Sequence, residues 1–181
     1  IERNFQPNKY IFMFRDPKKV VNSLVSKGWY NEKIFKSQSS KITGLQPNLK
    51  NFHHNFSRIS PKNDYFAEWN NLSSIGKCSW FWSEANQSIY LFLKKVSKDK
   101  KLIFKLEDID QNYNWYAKYI KYFDLEKQFS LNKFLELKQI MPNKGKKNLN
   151  IDNWNAIESK EFTKNTEKVH YLIENIQSDL V

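Results

Sequence analysis

Five consecutive apolar or aromatic residues, Tyr10-Ile11-Phe12-Met13-Phe14, stop at Arg15, and Asp16-Pro17 follows at once. The run does not alternate, so it predicts a fully buried strand over 9–15, the pattern of a parallel sheet. Pro17 suits the first position of a helix and Asp16 its N-cap. Val20, Val21, Leu24 and Val25 then share one face up to about Lys27, with Gly28 as the expected stop. A strand thus delivers a guanidinium to its carboxyl end, and the next helix carries a hydroxyl, Ser23, eight residues later. A guanidinium fork matches phosphate oxygens, a serine adds a neutral donor, and a helix N-terminus favours an anion. The same spacing also allows Arg15 to pair with Asp16 or Glu107 and Ser23 to be an ordinary helix-side residue.

Residues 29–75 are polar and irregular, and an excursion that long inside a compact domain is usually functional. Its aromatics, Trp29, Tyr30, Phe35, Phe52, Phe56, Tyr65, Phe66 and Trp69, predict that it packs on something and make it the expected acceptor-facing region. From about Ser79 to Lys98, Phe81, Ala85, Ile89, Phe92 and Val96 recur at helical spacing. Leu102–Leu106 reads as a second strand ending at Glu107-Asp108, with helices near 112–123, 131–140 and 159–177. A basic loop with one glycine, residues 142–147, separates the last two. Strand, helix, excursion, helix, strand predicts an α/β fold with a parallel sheet flanked by helices. Ligands of such sheets bind beyond the carboxyl ends of the strands, where Arg15 and Glu107 both fall.

The chain of 181 residues reads as a single domain over 1–181, or a large part of one. Its six Trp, nine Tyr and fourteen Phe are too many for a disordered segment. No apolar run approaches the roughly 20 residues of a membrane span. The chain opens on Ile1 with no leader pattern, which reads as a cut inside a longer protein. Cys78 is the only cysteine, so internal disulfides and Cys-rich zinc sites are excluded, and a reducing, cytoplasmic setting fits. No metal-ligand cluster is evident, and no metal is expected. The net charge of +11 points to an anionic partner, yet Lys supplies nearly all of it, the only arginines being Arg3, Arg15 and Arg58. The lysines are scattered and no nucleic-acid recognition motif appears, so no nucleic acid is expected, and a nucleic-acid-binding module is the lesser alternative.

Arg15, Asp16, Pro17 and Ser23 together resemble the 3′-phosphate-binding motif of the sulfotransferases that use 3′-phosphoadenosine 5′-phosphosulfate (PAPS) as donor. In that family a strand ends in Arg, commonly followed by Asp or Asn and Pro, with a Ser at the same interval. Gly76-Lys77-Cys78-Ser79-Trp80 and the later Leu102–Ile109 are similar to the family's tryptophan-bearing helix and the strand after it. Leu106 replaces the tyrosine that helps place adenine in cytosolic members. Lys144-Gly145 resembles the Lys-Gly of a loop that closes over the 3′-phosphate before a Trp, here Trp154, although the interval is longer and Asn143 stands where Arg is common.

The resemblance implies a P-loop-NTPase-like sulfotransferase fold, N-terminally incomplete because the first strand, phosphate loop and first helix would lie upstream. It implies PAPS as donor, its product 3′-phosphoadenosine 5′-phosphate (PAP), and an acceptor bearing a hydroxyl or amine. Donor contacts fall on Arg15 and Ser23, then on Lys144 and Gly145. No catalytic base is assigned: the family's histidine or glutamate lies upstream, and His53-His54 read as a surface pair. A truncated or non-catalytic phosphonucleotide-binding remnant is the second alternative.

Overall fold

The computed structural model describes residues 9–30, 59, 62–125, 129–140 and 153–178. The protein is a mixed α/β chain, mostly helical, with one two-stranded parallel sheet. Its order is β1 (Tyr10–Phe14), α1 (Pro17–Ser26), α2 (Phe66–Asn71), α3 (Ser74–Leu93), β2 (Lys101–Lys105), α4 (Leu106–Gln111), α5 (Tyr113–Tyr122), α6 (Leu131–Gln139) and α7 (Ala156–Ser178). Among the candidates from sequence, Phe35, Phe52, Phe56, His53, His54, Lys144 and Gly145 lie outside the described residues.

β1 pairs with β2 in parallel, Tyr10 opposite Lys101 and Phe14 opposite Lys105. Parallel pairing cannot be closed by a tight turn, and residues 15–100 form the crossover. Leu102, Ile103 and Phe104 are buried, as are Phe12 and Phe14. Met13 is 53% exposed, which corrects the expectation of a strand buried on both faces. Both faces of a parallel strand are buried only where helices cover them, and at Met13 that cover is absent among the described residues. Leu106 belongs to α4 rather than to the second strand.

α1 follows the sequence closely: it begins at Pro17, and Gly28 leaves it with φ of 80°, a left-handed conformation that costs glycine nothing. α3 corrects the sequence reading in both limits and phase. It begins at Ser74 rather than near Ser79, because Ser73 caps it: the Ser73 hydroxyl accepts from the Gly76 N–H at 3.0 Å. Its buried positions are Ile75, Gly76, Lys77, Cys78, Ser79, Trp82, Ser83 and Leu93, whereas Ala85, Ile89 and Phe92 are exposed. Small side chains allow the close packing, and the hydroxyls are satisfied locally: Ser79 donates to the Ile75 carbonyl at 2.7 Å and Ser83 to that of Asn165.

The chain divides into two compact units. One comprises Ile1–Asp16, Asn86–Lys146 and Leu172–Val181 and holds the sheet. Here Phe104 meets Tyr119 edge-on, Tyr10 meets Phe92, and the Tyr122 hydroxyl donates to the Tyr10 carbonyl at 3.3 Å. Lys9 pairs with Asp124 at 2.7 Å beside the start of β1.

The other unit comprises Pro17–Ala85 and Lys147–Tyr171. Its core is Val21, Tyr30, Trp69, Leu72, Ile75 and Cys78, with Leu24, Val25, Trp29, Phe81, Trp154 and Phe162 packed around them. Trp29, Tyr30, Tyr65 and Trp69, expected from sequence to pack, do so. Tyr30 has φ of 52°, an uncommon conformation for a bulky residue. It is held there by burial, by an edge-on contact with Trp69 and by the Ser74 hydroxyl, which donates to its carbonyl at 2.6 Å.

Candidate anion-binding site

Arg15 leaves the carboxyl end of β1, and Glu107 stands in the first turn of α4 directly after β2. The parallel register, with Phe14 beside Lys105, brings the two ends together. The Arg15 Nε donates to Glu107 Oε1 at 3.3 Å. The arginine side chain is 48% exposed and the glutamate only 15%. Of the two arrangements open from sequence, the pairing with Glu107 is therefore present. It occupies one nitrogen at the long end of hydrogen-bond range, and the two terminal amino groups make no hydrogen bond among the described residues. A guanidinium gripped on its Nε keeps its end-on fork for a bidentate anion.

Ser23 is half-buried on α1, in the other unit from Arg15. Its carbonyl accepts from the Ser26 hydroxyl at 2.8 Å, and its own hydroxyl has no partner among the described residues. The first turn of α1 contains Lys18 and no acidic residue, an arrangement that opposes the helix dipole.

Asn22 is the residue that pattern reading missed. It is buried between Val21 and Ser23, and its Oδ1 accepts from the Trp154 indole at 3.1 Å. That bond fixes the amide's orientation, because an indole N–H can only donate. The Asn22 Nδ2 is then a buried donor with no acceptor among the described residues. Lys18 lies 5.5 Å from the Trp154 ring centre and Phe162 packs on the same indole at a tilt, so α1 and α7 both hold Trp154. The available signal was an amide flanking the apolar stripe of α1 and a Trp whose N–H needs a partner once buried.

The Gly76–Trp80 segment is built for packing. Lys77 is buried, with its ammonium on the carbonyls of Asn70 and Leu72 at the end of α2 and over the Trp69 ring. Burial pushes the neighbouring Cys78 thiol up to about 12, with the Lys77 charge working weakly against it. That cysteine is not a nucleophile at neutral pH. Leu106 is half-buried at the head of α4 and offers no ring to an adenine. Among the described residues no group of His, Cys, Asp or Glu has the clustering to hold a metal ion. No described helix is long and apolar enough to cross a membrane. No family model, curated protein or solved structure matches this chain.

Proposed function

We propose that the protein is a PAPS-dependent sulfotransferase of P-loop-NTPase-like fold, or the C-terminal portion of one. In this reading Arg15 and Ser23 hold the 3′-phosphate of the donor, and Lys144 and Gly145 contribute from their loop. The observation that carries the reading is Arg15: a half-exposed guanidinium at a strand's carboxyl end, held by Glu107 through Nε alone. The Ser23 assignment rests on its spacing from Arg15 in the sequence. Donor adenine contacts differ from those of cytosolic relatives, since Leu106 cannot stack on a base.

When bound, the donor supplies a sulfuryl group, which passes in line to an acceptor hydroxyl or amine as the bond to the departing PAP phosphate breaks. A base takes the acceptor proton, and that base is not among the residues assigned here. What this chain contributes is the grip on the ribose 3′-phosphate, which fixes the donor's position for displacement. Isothermal titration of PAP into wild type and Arg15→Ala tests the assignment. Losing a charged phosphate contact should cost about 1.5–3 kcal/mol, roughly a ten- to hundredfold weaker Kd. Equal affinity of the two proteins would overturn the reading.

A further inference from the structure

We propose that the apolar ridge that Leu131 and Leu135 form along one edge of α6 docks the protein on an anionic lipid surface. The inference is independent of the sulfotransferase reading and rests on the sheet-bearing unit alone. Phe134, the one residue of α6 that is not exposed, packs on Tyr113 and Tyr116, each at 5.5 Å, while Phe129 stacks on Tyr116. No residue of the helix is buried. Leu125, Phe129, Leu131, Leu135, Leu137 and Ile140 are 37–60% exposed, half of the twelve large apolar side chains so exposed among the described residues. Single exposed leucines need no explanation, but this concentration in one short stretch does. Leu131 and Leu135 lie one turn apart, and Leu137 projects on the other flank of Phe134.

Charge selects the occupant. The chain carries +11, so a second copy pressed against the same ridge meets like charge. Lys138 stands on the Leu131–Leu135 side of α6, exposed and with no ion pair among the described residues. Lys118 and Lys121 are exposed on the adjoining α5. Lys133 is tied to Glu136 at 2.6 Å and belongs to the opposite face. Leucines projecting from a ridge, with lysines at their margin, need no complementary pockets. A fluid acyl layer beneath anionic headgroups accepts them directly, and lysine stems can run along the boundary with their ammonium groups among the phosphates. A nine-residue helix spans only about 14 Å, so it lies in the interface and does not cross.

Sedimentation with vesicles of phosphatidylcholine, with and without phosphatidylserine, tests the proposal. Wild type should bind the phosphatidylserine vesicles, and less so as salt rises. Leu131→Glu with Leu135→Glu should lower the partition coefficient at least about tenfold, and Lys138→Glu less, because the leucines supply the apolar burial. Leu91→Glu, equally exposed on α3, should bind as wild type. Circular dichroism and urea midpoints establish that each variant is folded. Failure of wild type to bind overturns the proposal, as does binding that the paired leucine change leaves intact, which would be general adsorption of a basic protein. Sedimentation velocity supplies one further refutation: a dimer abolished by the leucine pair, without vesicle binding, makes the ridge an interface between copies.

Discussion

Replacing Gly76 with alanine should destabilise the protein, against the usual gain from removing a helix glycine. A Cβ at this position would stand 2.5 Å from Glu161 Oε2 and 3.0 Å from Leu72 Cβ. Glu161, from α7, reaches the start of α3, where its carboxylate accepts from the Ser73 N–H at 3.2 Å and from the Ser73 hydroxyl. It does from another helix what the third-position glutamate of a capping box does from within. The carboxylate is the free end of a side chain and can swing away from an added methyl, but only by giving up those bonds. Charge-assisted hydrogen bonds contribute about 1.5–3 kcal/mol, and alanine returns about 0.8–1 kcal/mol of helix propensity. Gly76→Ala should therefore lose about 1–2 kcal/mol in urea unfolding followed by tryptophan fluorescence. In a Glu161→Ala background the same change should be neutral or stabilising, limited by the Leu72 contact. A Gly76→Ala protein more stable than wild type would show that the carboxylate does not sit over α3.

Four further outcomes are expected. Cys78 should resist alkylation at pH 8 and react in proportion to the unfolded fraction as urea is raised; fast labelling of native protein would contradict its burial. Because the folded thiol is held at about 12 against about 9 when exposed, the folded state keeps the proton that the unfolded chain loses. Stability from this group is thus intact below about pH 9 and declines from there towards pH 12, and Cys78→Ala should flatten that decline in urea titrations. Trp154→Phe removes the donor to Asn22 Oδ1 and should cost about 1–3 kcal/mol, read from the same unfolding curves; a loss under about 0.5 kcal/mol would mean the amide is not buried. Ser130 caps α6 by accepting from the Lys133 N–H at 3.2 Å. Ser130→Ala should remove about 1 kcal/mol locally, seen as faster hydrogen exchange in α6 with little change in the global midpoint.

The first strand and helix were legible because their signals are unmixed: an apolar run, then Pro17, then Gly28 with its positive φ. α3 misled because its buried face uses Ser79 and Ser83, residues that hydropathy does not separate from exposed polar ones. Their hydroxyls disappear into backbone carbonyls, an event visible only in three dimensions. The start of α3 was hidden for a similar reason, since Ser73 and Ser74 are alternative caps until Glu161 selects one. At the site, the guanidinium at the end of β1 could be read from sequence, and so could Glu107 as a rival partner. Which of its nitrogens the carboxylate takes depends on strand register, as does the fork it leaves over. Asn22 and Lys77 escaped because a buried polar side chain is recognisable only through its partner, and both partners come from elsewhere in the chain or from the backbone.

The pairing of Tyr10 with Lys101 also sets a timetable for synthesis. Roughly ninety residues must leave the ribosome between a strand and its neighbour, about 5–20 s at ordinary elongation rates. Throughout that interval the edge of Tyr10–Phe14 that β2 will take stays open on a nascent chain, and the residues of the crossover can organise before it is satisfied. Chaperone demand on this segment should therefore begin as β1 emerges and end when β2 does.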